Sequence, residues 1–595
     1  MLRSVPRFRL VSMHPESSNS AENRFHRVSR LLIVPAILLL GLATVSSHVS
    51  DPDLWGHVQY GREVLRDGTL PRTATWTYAA EGAPWVNHEN IAELMLAWTV
   101  DTFGSSGLPL MKLAIAVTIF GLMIFSARRS GAGWLPIGAM VMIVAANLQF
   151  HWHFRPQILT YLSLAVLLSL WQYVFGEFDS KNPESVITTT SRLRWLWLLV
   201  PLMCFWANSH GGFAAGVCIM LAYHGLMCLQ LIHRRGFRHR RFLLHLSIVT
   251  VAAVLATLIN PYGVELWRFM LNALTLPRPE IADWGPPALI GMEATRLWCL
   301  IAVGVIALSV DQRRDFARLV ILALLLWQSL SHCRHLSIFA IVCGFWIPRA
   351  LQQVGNNLQQ SLRKLQPPSA TRSTGRFRMA AMLLLISLSL VKLLPTLQEV
   401  PVERGEYPVS AMQYLHDHQL HGRTLVTFNW AQYAIGCFAA DDGPLRESRV
   451  AVDGRFETCF PREITDICFD FWLGTDDPGD RYRSPYAPPF SPSLALEFEM
   501  PDLVLLARDQ RPSVRIMQQH QDVWTLLYQD SLAQIWGRRS EYDVSGLKNH
   551  LAPSQRRISD DPQVGTVPWP AFPSSNPSAD RITLSPAAIT DIISR

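Results

Sequence analysis

Charge is scarce in this chain of 595 residues: only 17% are Asp, Glu, Lys or Arg, whereas 49% are hydrophobic. With a mean hydropathy of +0.17, that balance excludes an ordinary soluble protein of this size and points to a polytopic membrane protein. Cysteine is sparse too: nine are scattered with no C-x-x-C pair, which removes a thiolate metal site and a redox dithiol from consideration. Six of them (Cys204, Cys218, Cys228, Cys299, Cys333, Cys343) lie in or near apolar runs. Cys437, Cys459 and Cys468 fall in a polar C-terminal part, where an oxidising compartment would allow one disulfide and leave one thiol over, with the pairing open. A Gly-rich phosphate loop and an internal repeat are both missing. The net charge of +7 does not mark a nucleic-acid binder, because the arginines gather in short segments between apolar runs.

What is present is a series of such runs. The first is Leu31 to Val45, preceded by six arginines between Arg3 and Arg30, so residues 1–30 read as a basic cytoplasmic N-terminus. A cleaved signal peptide over Leu31 to Ala43 is the other reading of this run, and both put residue 50 outside. Ten more runs follow at 109–127, 133–149, 157–175, 195–207, 213–232, 242–259, 297–310, 319–330, 335–348 and 379–395, giving about eleven spans within 31–395. Alternating them places 25 Lys and Arg on the inner side and 8 in the outer segments, although the outer set includes the long stretches 48–108 and 260–296. Everything after residue 396 then lies outside. Segment 89–103 is amphipathic and ends at Gly104, which predicts a helix at the outer interface.

Once sides are assigned, the polar islands converge on the outer mouth: Asp51-Pro-Asp-Leu-Trp-Gly-His57, Asn87-His88-Glu89, His151-Trp-His153-Phe-Arg155, Asn208-Ser-His210-Gly-Gly212, Asn260-Pro-Tyr-Gly263 and Ser331-His-Cys-Arg334-His335, with His48 beside the first. Each island also has a plain structural role. Asp51 before Pro52 is a good helix cap, Asn87 can cap a helix beginning at His88, and the Pro and Gly residues at 211–212 and 261–263 suit turns at span ends. Capping does not account for Asp53 and His57, four apart and so on one helical face. Arg155 and Arg334 sit beside spans, where an unpaired cation is costly, so each calls for a mouth carboxylate or a ligand phosphate. Glu93, one turn beyond Glu89, reads as solvent-exposed. A metal site built from His151, His153 and His210 is conceivable but weakly supported by an H-x-H on a short loop, so no divalent metal or other cofactor is assigned.

At these residues the chain resembles the GT-C superfamily of polytopic glycosyltransferases, which includes oligosaccharyltransferases and protein mannosyltransferases. The resemblance is carried by Asp51-Pro-Asp-Leu-Trp-Gly-His57 directly after the first span, then Gly61, Leu70-Pro71, Trp76-Thr-Tyr78 and Trp85-Val-Asn-His-Glu89, and extends over residues 30–350. The fuller acidic signatures of characterised subfamilies are not reproduced, and uncharacterised bacterial members are the nearest in pattern. The resemblance implies a mainly α polytopic membrane protein of the bacterial inner membrane that takes a polyprenyl-phosphate-linked sugar and inverts it onto a glycan, lipid or protein acceptor. Asp53, or Asp51, would be the base with His57 beside it. Asn87, His88, Glu89, His151, His153, Arg155, His210, Arg334 and His335 would bind substrate, Arg155 and Arg334 through the phosphate. A transporter or lipid-linked sugar flippase, or a non-catalytic protein of the same fold, is the alternative. Transporters usually hold ionisable groups near the midplane, and here His224 is the main one within a run.

After Lys392 the texture changes. Pro408 to Leu420 reads as a helix, Thr424 to Phe428, Arg449 to Val452 and Leu503 to Ala507 as strands, and Trp524 to Tyr528 with Ala533 to Trp536 as a hairpin. That predicts a small extracytoplasmic α/β domain over 396–545. Asp453-Gly454 at a strand end is a turn, and the Pro- and Ser-rich 484–493 is a loop. Residues 546–595 read as a disordered polar tail.

Overall fold

The computed structural model describes residues 16–46, 49–176, 192–311, 315–365 and 375–574, with side chains from residue 27 onward. His48, Lys181, Arg313 and Arg314 lie outside the described residues. Each of the eleven apolar runs contains a helix. Helix α1 (Glu16–Val45) is followed by two helices of the first long connection, α2 (Leu54–Asp67) and α3 (Asn90–Phe103). Then come α4 (Gly107–Arg129), α5 (Trp134–Leu148), α6 (Gln157–Phe175), α7 (Leu199–Ala207), α8 (Phe213–Arg235), α9 (Arg240–Ala256), α10 (Val264–Thr275), α11 (Met292–Val310), α12 (Phe316–Ser331), α13 (Leu336–Trp346), α14 (Pro348–Leu365) and α15 (Gly375–Thr396). Among the described residues six segments are long and apolar enough to cross a membrane, seven if the pair α13 and α14, bent by 55°, is one span. One of the six is Phe213–Ala256, in which Gly236 at φ 58° separates α8 from α9. Helix α7, with 9 residues, is shorter than the usual bilayer crossing, and the apolar stretches Ala294–Val310 of α11 and Phe316–Ser331 of α12 fall short of it as well.

The bundle is held by side chains that interlock across helices: Ile119, Phe120 and Met123 of α4 and Val141, Val144 and Leu148 of α5 share one buried cluster with Leu164, Leu168 and Trp171 of α6 and almost the whole of α13. His224 within α8 is buried, its Nδ1 2.7 Å from Thr250 Oγ1 on α9.

Beyond α15 the chain forms an α/β domain whose six-stranded sheet has the order β3-β2-β4-β6-β5-β7. Its strands are β2 (Arg423–Val426), β3 (Arg449–Val450), β4 (Leu503–Ala507), β5 (Trp524–Gln529), β6 (Ala533–Arg538) and β7 (Arg557–Ile558); β1 (Pro401–Glu403) pairs separately with β8 (Thr566–Pro568). Strand β4 is buried along its whole length, as expected of an apolar run covered on both faces. Leu503 and Leu505 point to one side, towards α16 (Val409–Asp417) and α17 (Ala431–Ala440), and Val504 and Leu506 to the other, towards α18 (Arg462–Leu473) and α19 (Arg511–Gln519).

Two expectations are corrected here. Residues 546–574 are part of the fold and not a loose tail: β7 extends the sheet, β8 closes on β1, Leu551, Val567 and Trp569 are buried, and Trp569 N–H donates to Val400 at 2.9 Å. The segment is polar because its order comes from backbone pairing and a few anchors. Cys437, Cys459 and Cys468 are buried free thiols, so no disulfide joins them.

The domain is not a separate appendage. Trp55 of α2 is 1% exposed, enclosed by Tyr407, Tyr433 and Trp569, and its indole N–H donates to Pro570 O at 2.9 Å. Residues 76–78 of the first connection run along the edge of β3, exchanging backbone hydrogen bonds at 3.0 Å with Val450.

Candidate active site

The Asp51-Pro-Asp turn begins α2. Asp51 Oδ1 accepts the Asp53 N–H at 3.0 Å and the Asp51 carbonyl accepts the Leu54 N–H at 3.1 Å. Asp51 is thus the local cap, yet it is also buried against Arg155, whose Nε lies 2.8 Å from both of its oxygens. The same guanidinium reaches Asp53, with Nη2 3.1 Å from Oδ2. A bidentate cation between two carboxylates fixes their separation and lowers the cost of placing them together.

One turn along α2, His57 Nδ1 lies 3.4 Å from Glu93 Oε1, and Asn87 Nδ2 donates to Glu93 Oε2 at 2.6 Å. Glu93 is 3% exposed, against the expectation of a solvated residue. The reason is Gly61: the face of α3 bearing Glu93 packs on α2 so closely that a Cβ at residue 61 would strike the Glu93 carbonyl. Helix α3 starts at Asn90, and Asn87 caps the turn before it, Oδ1 accepting the Glu89 N–H at 3.0 Å. Glu89 faces His88 Nε2 at 3.9 Å and His210 Nε2 at 3.7 Å. His210 Nδ1 accepts from the Gly212 N–H and from the Thr160 hydroxyl, both at 2.9 Å, so in the neutral ring the proton sits on Nε2, towards Glu89.

These groups titrate unusually. Burial, with Asp51 adding to it, overcomes the opposing Arg155 and pushes the Asp53 carboxyl up to about 6. Burial alone would lower His57, but Glu93, Glu89 and Asp53 raise it to about 9. His210 is driven by burial down to about 3. Glu89, despite burial, is held below the ordinary carboxylate range by His88, His57, His210 and Arg155.

All of this opens into one cavity of about 350 Å³. Asp53, His57, Asn87, His88, Glu89, Arg155, His210, Arg334 and His335 line it. Asp51, His151 and His153 do not: Asp51 is buried behind Arg155, and His153 donates from Nε2 to Phe150 O at 2.7 Å with Nδ1 3.9 Å from Asp51. The histidine triad His151, His153 and His210 is therefore not assembled. His57, Glu89 and Glu93 do offer three ligand atoms within 4.8 Å of one another, enough to seat a cation.

Arg334 differs from Arg155. Its guanidinium packs over Trp284 at 4.5 Å, as does that of Arg278 at 4.4 Å, but only Arg278 has a carboxylate partner, Glu457. Among the described residues no carboxylate lies within ion-pair range of Arg334. The loop carrying Trp284 is tied down by His332 Nδ1 to Trp284 O at 2.6 Å and by Cys333 N–H to Gly285 O at 2.9 Å.

Sequence reasoning missed the wall supplied by the C-terminal domain, namely Gln432, Gly454, Arg455, Phe456, Glu457 and Thr458. Its one visible signal was Asp453-Gly-Arg455, legible only as a turn. Arg455 is 7% exposed, paired with Asp453 at 2.7 Å and stacked over Tyr60 at 4.5 Å and Trp85 at 4.6 Å, which fastens the domain to the first connection. Gly454 lies against Asp53: a Cβ there would collide with Asp53 Oδ1.

The fold has counterparts among solved structures. The archaeal oligosaccharyltransferase AglB from Archaeoglobus fulgidus, in complex with an inhibitory peptide and a dolichol-phosphate, superposes with a TM-score of 0.51 at 10% identity, over 84% of this chain and 72% of AglB. The chain has a GT-C fold. ArnT from Cupriavidus metallidurans bound to undecaprenyl phosphate gives a TM-score of 0.44 at 12% identity, over 87% of this chain and 98% of ArnT. The arabinofuranosyltransferase AftD from Mycobacteria gives 0.42 at 15%, over 88% of this chain and 40% of AftD. No family model and no curated protein matches the sequence. The apolar helices and this GT-C fold make the chain an integral membrane protein.

Proposed function

We propose that this GT-C protein is an inverting glycosyltransferase of the bacterial inner membrane, with the N-terminus cytoplasmic and the cavity and C-terminal domain outside. It takes a sugar from a polyprenyl-phosphate donor and passes it to an acceptor hydroxyl on a glycan, lipid or protein. The observation that carries this reading is that Asp53, a carboxylate with its pKa raised to about 6, and Arg334, a guanidinium that no carboxylate among the described residues meets at ion-pair distance although Asp283 acts on it from farther away, line the same cavity. A base poised near working pH and a cation left for a phosphate are the two groups that single-displacement transfer requires.

Asp53 takes the proton from the acceptor hydroxyl as its oxygen bonds to the anomeric carbon. The bond from that carbon to the phosphate oxygen breaks, and Arg334 stabilises the charge left on the lipid phosphate. Arg155 acts through the aspartates, holding Asp53 in place. His57, cationic up to about pH 9, faces Glu93 and Glu89 and fixes the helix face on which Asp53 sits. The arginine distribution supports the sidedness, and the complex of AglB with a dolichol-phosphate supports a lipid-phosphate ligand. The test is transfer by purified protein from undecaprenyl-phosphate-linked hexoses to an alkyl glycoside, wild type against Asp53→Asn. Transfer lost in the variant supports the assignment, and transfer unchanged removes it.

A further inference from the structure

Gln432 stands in the first turn of α17, in the C-terminal domain, and is 3% exposed. Its side chain makes no hydrogen bond among the described residues, and Oε1 is fully enclosed. Buried amides are nearly always paired, so one that is not calls for an explanation. The amide is wedged between two glycines from different parts of the chain. A Cβ at Gly56 of α2 would collide with Gln432 Oε1, and a Cβ at Gly454 would collide with Asp53 Oδ1 and lie 2.9 Å from Gln432 Nε2. The amide nitrogen and the Asp53 carboxylate therefore flank the same spot, both line the cavity, and no hydrogen bond joins them.

We infer that Gln432 is a hydroxyl-binding residue of this site, whose amide holds a carbohydrate hydroxyl against the Asp53 carboxylate. This rests on the transferase reading. A substrate hydroxyl, taking the place of water, bridges the two neighbours, its oxygen accepting from Gln432 Nε2–H while its hydrogen is donated to Asp53; Oε1, held against Gly56, takes no part in the contact. Two sources fit: the nucleophilic hydroxyl of the acceptor, or a ring hydroxyl of the donor sugar. If it is the nucleophile, its proton passes to Asp53 as its oxygen bonds to the anomeric carbon, and the lipid phosphate leaves with the electron pair of the broken bond. The C-terminal domain thereby becomes part of the substrate site, which is incomplete without it.

The experiment compares wild type, Gln432→Met and Asp53→Asn, with undecaprenyl-phosphate-linked glucose, mannose and galactose as donors and octyl glucoside as acceptor. Methionine keeps the length of the side chain and its packing between the two glycines, and a melting temperature close to wild type verifies this. Loss of the hydroxyl contact lowers kcat/KM by roughly tenfold to a hundredfold. A rise in the acceptor KM alone identifies the nucleophile, and weaker binding of the sugar-bearing lipid relative to undecaprenyl phosphate identifies a donor hydroxyl. Transfer by Gln432→Met within twofold of wild type, while Asp53→Asn is inactive, overturns the inference and leaves the transferase reading standing. Should wild type transfer no sugar, that reading fails, and binding decides the inference. A preference for the hexose-bearing lipid over undecaprenyl phosphate that Gln432→Met loses supports it, and a preference absent in wild type or retained in the variant overturns it.

Discussion

Arg155 Nη2 lies 3.1 Å from Asp53 Oδ2, while the same guanidinium holds Asp51 through Nε at 2.8 Å. The cation of the third polar island is therefore consumed by the first, which in the proposed reaction makes it a positioning group for Asp53 and leaves Arg334 for the phosphate. Arg155→Gln should leave two carboxylates facing each other uncompensated. Because the Arg155 side chain is 34% exposed, the cost is moderated by solvent, and about 2 kcal/mol of stability is expected to go, measured by thermal unfolding in detergent. Removing the cation also drives the Asp53 pKa above 6, so the acid limb of the transfer rate moves to higher pH.

The titration of Asp53 and His57 sets a pH profile. Transfer requires the Asp53 carboxylate and is expected to rise with pH through about 6, then fall near 9 as His57 loses its proton. Stability follows a different course. Asp53 is raised above its ordinary value of 3.8, so its contribution is complete below that pH and is lost as pH rises through about 6; His57 is raised above 6.5, and its contribution is lost on rising through about 9. Wild type should lose stability between pH 6.5 and 9, and His57→Gln should abolish most of that slope in melting curves.

Gly454→Ala tests whether the C-terminal domain forms one wall of the site. A methyl group there has to displace Asp53 Oδ1 or the Gln432 amide. A loss of transfer of about a hundredfold is expected with the protein still folded, since misplacing a reacting group by about 1 Å has an effect of that order. Gly121→Ala, at a helical position with nothing within 4 Å of the new methyl, should leave transfer unchanged.

Deleting residues 546–595 should damage the domain severely, because β8 pairs with β1 and Trp569, 3% exposed, packs on Trp55. Removing one such buried Trp costs roughly 3–5 kcal/mol. Limited proteolysis should cut the truncated domain at least tenfold faster than the full chain.

Much of the membrane part was legible because its signals are local. An apolar run of helical length, an arginine cluster and an Asp-Pro turn are each contained in a few residues, and so is the Gln-Asp-Ser hairpin turn between β5 and β6. The mouth could be inferred by folding those local signals onto one side. What escaped needs partners hundreds of residues apart. Gly454 matters because Asp53 lies against it, Glu457 because Arg278 does, and Glu93 is buried because Gly61 lets two helices close. Residues 546–574 looked like a tail since backbone pairing leaves little mark on composition. His151 and His153 lie close to Arg155 in sequence, whereas the irregular turn at 149–156 brings Arg155 and Pro156, and neither histidine, to the cavity.

The central claim is that Asp53 is the base of an outward-facing sugar transfer. Steady-state transfer from an undecaprenyl-phosphate-linked hexose to octyl glucoside, wild type against Asp53→Asn in the same membranes, tests it most directly. Asparagine keeps the shape but removes the proton acceptor and the charge that faces Arg155, so a fall of about a hundredfold or more is expected with donor binding retained. Transfer by Asp53→Asn within twofold of wild type would contradict the account.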